Sequence, residues 1–436
     1  MKIKNGQKLW KKAKNIIPMG TCLFSKKSEV FLPEIWPSYF SKAKGIKVWA
    51  LDGNEYLDFS IMGVGTCILG YSDPDVNKAV KNVIDKGNMC TLNSPEEVEL
   101  AELLLKIEQW AGMVRYARTG GEAMAIAVRI GRAYTGKEKV AFCGYHGWHD
   151  WYLSANISDN RNLDGHLLPG LKPLGVPRVL KGTSIPFNYN KIEELEEIVR
   201  NNDIGVIVIE TIRNYYPENN FLKRVRDIAT KIKAVLIMDE ITSGFRLTIG
   251  GAYKIFGIEP DIVVYGKAIS NGYPMAAIIG KKEIMKKAEE SFISSTYWTE
   301  RIGPTASITT IKKIKEKNVP DHLIKTGEKI KKSWKEIADE YGLKIKIMGI
   351  SSLPNFKFDY ENSNELMTLF TYEMLKRKFL AKNCVYLSYS HKEVFVEKYI
   401  KACSEVFKLI KIGIEENKIE KILKCKVAEE TFKRLT

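Results

Sequence analysis

Val235-Leu236-Ile237-Met238-Asp239-Glu240 and, beginning 27 residues after Val235, Ile262-Val263-Val264-Tyr265-Gly266-Lys267 are the two stretches whose reading decides the fold. Each is an uninterrupted apolar run that ends abruptly in charge. Apolar runs of this length without alternation are expected of parallel strands covered by helices on both faces. Ligands of open α/β sheets bind beyond the carboxyl ends of the strands, so the charged residues closing these runs are where chemistry is first sought.

Outward from these runs the pattern repeats. Further short apolar strands are expected at residues 114–117, 140–143, 204–209 and 276–279, with 3.6-period segments such as 191–200 and 222–231 as the helices between them. The alternation predicts a doubly wound α/β domain around a large, mainly parallel sheet. Toward the N-terminus, an amphipathic helix at 8–16 precedes a hairpin over 48–59, whose Asp52-Gly53 turn supplies the positive φ a tight turn needs. Beyond about residue 319 long helices at 321–341, 363–378 and 392–416 surround a few strands near 344–348, 356–358 and 385–387, which predicts a smaller α+β domain. The expected organisation is an N-terminal segment, 1–58, packing with a small C-terminal domain, 319–436, and a large domain, 59–318, between them in sequence.

Composition narrows the class. A chain of 436 residues, 45% hydrophobic, has ample material for sizeable cores. The seven cysteines, Cys22, Cys67, Cys90, Cys143, Cys384, Cys403 and Cys425, are odd in number, widely spaced and without a Cys-x-x-Cys pair. That argues against a disulfide framework or zinc knuckle and for a reducing, cytoplasmic setting. The N-terminus is polar and lysine-rich, and no stretch approaches the roughly 18 to 20 apolar residues that cross a bilayer, so secretion and a membrane partner are not expected. The net charge of +16 attracts anions at long range. Its lysines alternate with glutamates along helix faces, as in 281–287 and 325–335, and form no arginine-rich arm, so nucleic acid is not an expected partner.

Three positions carry candidate chemistry. Thr119-Gly120-Gly121-Glu122-Ala123 follows a strand and opens a helix, where two glycines let the backbone approach an anion and free N–H groups meet a phosphate. A plain strand-to-helix turn would use the same residues. At Asp239-Glu240 a carboxylate at a strand end can keep a pyridinium nitrogen protonated, or one of the two can cap a helix. Lys267 follows an apolar strand rather than lying on a polar helix face; partial desolvation there favours the neutral amine needed for Schiff-base formation, the alternative being a lysine that snorkels to solvent.

The order of phosphate turn, Tyr145-His146-Gly147, Asp239-Glu240-Ile241-Thr242-Ser243-Gly244-Phe245-Arg246 and Gly266-Lys267 resembles the class III aminotransferases of pyridoxal-phosphate (PLP) fold type I, particularly those similar to glutamate-1-semialdehyde aminomutase. The resemblance runs from Asp52-Gly53-Asn54-Glu55-Tyr56-Leu57-Asp58 to Ser388-Tyr389-Ser390-His391. It implies that Lys267 is the Schiff-base lysine and proton carrier, and that Asp239 partners the pyridine nitrogen. Gly120 and Gly121 would donate backbone N–H groups to the phosphate. Tyr145 would stack on one ring face and Ile241 on the other, with His146 and Glu210 in the same cofactor pocket. Thr296, in Ser294-Ser295-Thr296, resembles the threonine that reaches the phosphate from a neighbouring subunit, which implies a homodimer with shared active sites. Arg246 reads as a structural ion-pair partner. His146 and His149 have metal-like spacing, but no third ligand is apparent and no metal is expected. His166 and His322 read as surface or loop residues, and 151–182 as a long loop whose position resembles a mobile active-site loop.

The chain also departs from the aminomutases. Their Ser-x-Val-Arg element near the N-terminus is replaced by Phe24-Ser25-Lys26-Lys27-Ser28, and their Glu-Pro by Glu210-Thr211, followed by Arg213. Ser25, Lys26, Trp36 and Arg213 are the candidate substrate contacts. The expected activity is transfer of an amino group from an amino donor to a small carbonyl substrate, anionic or sugar-like. An aminomutase or an amino-acid epimerase would use the same apparatus, and a non-catalytic basic binding protein on this scaffold is the alternative outside PLP chemistry.

Overall fold

The computed structural model describes residues 5–158 and 173–429. In chain order the strands are β1 (Phe40–Lys44), β2 (Lys47–Ala50), β3 (Glu55–Phe59), β4 (Met113–Ala117), β5 (Lys139–Cys143), β6 (Ser184–Pro186), β7 (Ile204–Glu210), β8 (Val235–Asp239), β9 (Ile262–Tyr265), β10 (Ala276–Gly280), β11 (Ile345–Met348), β12 (Asn355–Phe358) and β13 (Phe379–Ala381). They fall into two compact units, one formed by Pro74–Pro320 and the other by residues 5–73 together with 321–429.

The unit Pro74–Pro320 is built on a seven-stranded sheet in the order β4-β10-β9-β8-β7-β5-β6. Every pairing is parallel except those of β10, which runs antiparallel to both β4 and β9. Burial on both faces explains the unbroken apolar runs: all residues of β7, β8, β9 and β10 are buried. Alternate side chains, Val206, Val208, Val235, Ile237, Ile262 and Val264, join one core cluster with the helix Gly120–Thr135. The residues between them, such as Ile207, Leu236 and Val263, point to the opposite face through the two-residue period of a strand. Helix and sheet approach so closely that a Cβ on Gly131 would lie 2.9 Å from Val206 Cγ2. The sheet is mainly parallel and doubly wound, as expected from the sequence, and β6 is a short edge strand that hydrophobicity alone did not reveal.

In the other unit, β1, β2, β3 and β13 form a four-stranded sheet in that order, and β11 pairs with β12. The β2–β3 hairpin turns at Asp52-Gly53, where Gly53 has φ 79°. Long helices at Ser363–Lys376 and Glu393–Glu415 cover an aromatic core in which Trp334 lies 4.8 Å from Phe356 and Phe59 stacks on Tyr399 at 4.3 Å. One expected strand needs correction. Residues 385–387 are extended but form no strand: Val385 and Leu387 donate to Pro354 O and Ser352 O, while Tyr386 donates to Ser60 O on the other side. Pro354 has no N–H to return, so the ladder does not close, and the strand of this region is β13 instead.

Residues 159–172, including His166 and the middle of the expected loop at 151–182, lie outside the described residues; the loop's start forms the helical turn Asp150–Leu153. His322, expected in a loop or at the surface, is helical and partly buried against Tyr389 at 5.1 Å. Among the described residues no helix is long and apolar enough to cross a membrane.

Candidate active site

The carboxyl ends of β7, β8 and β9 lie side by side, with Glu210 paired to Asp239 and Asp239 to Val264 in register. Asp239 is buried; its Oδ2 lies 2.8 Å from His146 Nδ1, and its Oδ1 accepts the Ile241 N–H at 3.0 Å. The other nitrogen of the buried His146 ring, Nε2, is 3.0 Å from Cys143 O. Both ring nitrogens thus face oxygen atoms, and these two contacts fix the orientation of the ring and of the carboxylate.

The neighbouring carboxylate has a different task. Glu240 accepts from Thr211 Oγ1 and Ser243 Oγ, each at 2.6 Å, and from the Tyr253 N–H at 3.0 Å. Burial pushes its carboxyl up to about 7, against the pull of these hydrogen bonds. Glu240 therefore ties the loops after β7 and β8 together, while Asp239 faces the histidine. Glu210, also buried, accepts the Tyr145 N–H through Oε2 at 3.0 Å and lies 3.4 Å from Arg213 Nη1 through Oε1. Gly144, with φ 113°, is required there, because a Cβ would fall 2.8 Å from Glu210 Oε2.

Lys267 follows β9 in a strained backbone conformation, φ 37°, and its Nζ is 2.7 Å from Thr242 Oγ1. Burial, and after it the Arg213 guanidinium, hold the amine down to about 8, with Glu210 and Asp239 pulling the other way. A non-glycine residue with positive φ at a strand end is the sort of outlier that functional sites retain.

The phosphate turn lies against this group. Thr119 caps the helix Gly120–Thr135 through a capping box, donating its N–H to Glu122 Oε2 at 3.0 Å and accepting the Glu122 N–H at 3.4 Å. The N–H groups of Gly120 and Gly121 belong to the first turn, where an α-helix has no internal partner for them. A Cβ on Gly120 would lie 3.0 Å from Ile241 Cδ1, and one on Gly266 3.3 Å from Ile241 Cγ2. Ile241 is thus wedged between the turn and the residue before Lys267. A Cβ on Gly121 would lie 3.0 Å from His149 Cε1, and one on Gly147 2.9 Å from Gly121 Cα, so the Tyr145-His146-Gly147 segment abuts the same turn. Tyr145 is partly buried, its ring edge-on to Tyr152 at 6.0 Å.

The structure therefore brings Gly120, Gly121, Tyr145, His146, Glu210, Arg213, Asp239, Ile241 and Lys267 to one end of the sheet. Arg246 is fully buried and donates to Thr242 O at 3.0 Å. Thr296 is not drawn in; it stands exposed on the turn Thr296–Thr299. Ser25, Lys26 and Trp36 belong to the other compact unit. There Lys26 is exposed, Ser25 partly so, and Trp36 is buried against Phe31 with ring centroids 4.4 Å apart. Thr242 is the residue that the sequence reading missed. It lies in the segment singled out after Asp239, but its meeting with Lys267 depends on a backbone conformation that no spacing announces.

Pyridoxal phosphate asks three things of a site: donors for a phosphate, a carboxylate for the ring nitrogen and an amine for the aldehyde. The donor set here fits. The helix N-terminus has glycines where side chains would fill the cradle, Asp239 is held by His146, and the Lys267 amine is largely desolvated.

Comparison with known proteins agrees. The family model described as aminotransferase class-III matches residues 34–373. The 3-aminobutyryl-CoA aminotransferase of Cloacimonas acidaminovorans is 32% identical over 368 residues, which cover 82% of this chain and 84% of that protein. A glutamate-1-semialdehyde 2,1-aminomutase of Archaeoglobus fulgidus is 27% identical over 427 residues, covering 93% and 100% respectively. Among solved structures, the FumI protein of Sphingopyxis sp. MTA144 with PLP aligns over 97% of this chain and 98% of its own, with a TM-score of 0.85 at 21% identity. An omega-transaminase from Sphaerobacter thermophilus aligns over 94% and 98%, with a TM-score of 0.82 at 22% identity.

Proposed function

Because the chain belongs to the class-III aminotransferases, enzymes that use pyridoxal phosphate, we propose that it moves an amino group from an amino donor to a small anionic carbonyl substrate, with Lys267 holding the cofactor and carrying the proton. Bound pyridoxal phosphate supplies an aldehyde carbon that condenses with amines and a ring that draws electrons from the bond to be broken. The chain's own residues do the rest. Burial brings the Lys267 amine down to about 8, so it can take and return a proton near physiological pH, which fits it both to bond the cofactor and to carry the proton. Asp239, oriented by His146, would keep a proton on the ring nitrogen. Gly120 and Gly121 would bind the phosphate through backbone N–H groups, and Tyr145 and Ile241 would confine the ring.

The observation that carries this reading is the convergence of the Lys267 amine and the Asp239 carboxylate from adjacent strand ends around Ile241 and the glycine turn. An anionic substrate is favoured by Arg213, whose guanidinium is buried near Lys267, and by the charge of +16. Glutamate 1-semialdehyde, named in the relative from Archaeoglobus fulgidus, is a small carboxylate-bearing aldehyde and points the same way. The test follows nitrogen. With a 15N-labelled amino donor and a panel of keto and aldehyde acids, label is expected to appear in the acceptor, and Lys267→Ala is expected to lose both the yellow colour and, on the scale of a lost proton carrier, about 10²- to 10⁴-fold in rate. Label that never leaves its own carbon skeleton, with isomerisation or racemisation in its place, would replace the transaminase by an aminomutase or epimerase.

A further inference from the structure

The Lys267 amine has company that the cofactor chemistry does not require. Thr242 Oγ1 lies 2.7 Å from Lys267 Nζ and 3.3 Å from Arg213 Nη1. Arg213 comes from the loop after β7, Thr242 from the turn after β8 and Lys267 from the connection after β9. Three neighbouring strand ends thus deliver two basic side chains to one hydroxyl. Arg213 is only 8% exposed.

We propose that Arg213 is a positioning residue for the cofactor-bearing amine: through the shared Thr242 hydroxyl it fixes where the Lys267 amine sits before it captures the cofactor. The proposal rests on the reading of Lys267 given above and is separate from any contact Arg213 makes with substrate. A guanidinium stays charged at any pH an enzyme meets, whereas an ammonium can shed its proton. When both converge on one oxygen, the amine holds its proton less tightly, because a like charge and desolvation disfavour the same state.

Other charged groups also act on the amine. Glu210 and Asp239 favour the ammonium and Arg246 opposes it. Asp239 is already engaged by His146 at 2.8 Å, and Glu240 is turned away onto Thr211 and Ser243. Arg213 is, after burial itself, the largest influence lowering the amine's affinity for a proton. Its link to Glu210 holds the guanidinium in reach of Thr242.

The measurement is the pH dependence of cofactor capture by the full-length protein stripped of PLP. The rise of visible absorbance after adding PLP is timed from pH 6 to 10, with borohydride trapping and mass analysis to confirm capture at Lys267. Only the neutral amine attacks, so the rate should climb with pH through a midpoint near 8 in the unaltered protein. Removing a like charge makes the ammonium easier to form, so Arg213→Gln should move the midpoint up by about one pH unit and slow capture at pH 7 by about tenfold. Arg213→Met removes the same charge with a side chain of comparable length and should move the midpoint likewise. An unchanged or lowered midpoint in Arg213→Gln overturns the proposal, as it does in Arg213→Met; the second variant decides the matter if Arg213→Gln fails to fold. Failure of the unaltered protein to be trapped at Lys267 would instead refute the assignment of that lysine.

Discussion

Asp239 and Glu240 are neighbours in the chain with unlike surroundings. Asp239 meets the His146 ring and one backbone N–H, whereas Glu240 is enclosed by two hydroxyls and the Tyr253 N–H. Two substitutions should separate their uses. Asp239→Asn is expected to lower kcat by roughly a hundredfold or more, because an amide cannot hold a positive ring nitrogen as a carboxylate does. Glu240→Gln is expected to leave the visible spectrum of the PLP-loaded enzyme unchanged and to cost about 1 to 3 kcal/mol of stability, since it disturbs a buried hydrogen-bond set. Steady-state kinetics and thermal unfolding of the two variants check this; equal losses of kcat would refute the division of labour. At this scale the sequence was legible wherever a polar residue closed an apolar run, as at Asp239 and Lys267. The apolar run alone could not say which of two adjacent carboxylates faces inward, since both close it; the family resemblance is what singled out Asp239. Nor could the sequence reveal Thr242, whose hydroxyl meets Lys267 only because that lysine adopts φ 37°.

The helix Gly120–Thr135 joins stability to ligand binding in one element. Its apolar face, Ala123, Ala127, Val128 and Ile130 among others, is buried in the core shared with the sheet, and its capped N-terminus forms the glycine turn. Thr119→Ala removes half of the capping box. It should lower stability by about 1 kcal/mol and loosen PLP, whereas Thr119→Ser should restore both. Thermal midpoints and PLP titrations of the two variants test this, and an alanine variant that holds PLP as tightly as the parent would show that the cap does not shape the cradle. Elements of this kind were the most legible part of the chain, because a buried parallel strand and an amphipathic helix each leave a plain hydrophobic signature. The exceptions have local causes. β6 has only three residues and ends in proline, and 385–387 looks like a strand in sequence yet lies beside Pro354, which lacks the N–H needed to extend a ladder. The antiparallel course of β10 was equally invisible, because burial on both faces produces the same apolar run in either direction.

For the whole molecule, the exposed turn at Thr296 raises the question of a second copy. Phe292 and Tyr297 beside it are 91% and 68% exposed, and a groove of about 650 Å³ lined by Arg129, Trp148, His149, Phe292 and Trp298 opens next to the phosphate turn. A homodimer that covers this face and lends Thr296 to its neighbour's phosphate would account for aromatic residues standing in water. Light scattering of the PLP-loaded enzyme should give twice the chain mass, and Thr296→Ala should weaken PLP retention without dissociating the dimer; a fully active monomer would refute the shared site. The seven-stranded sheet bears on how copies can meet at all. At its β6 edge the Phe187 N–H bonds inward to Phe142 O, so the alternation of the strand turns Pro186 outward, where an imino nitrogen has no hydrogen to offer. An incoming strand finds no continuous row of donors there, so the sheet resists lengthening from molecule to molecule into a fibre, and association is left to side chains elsewhere.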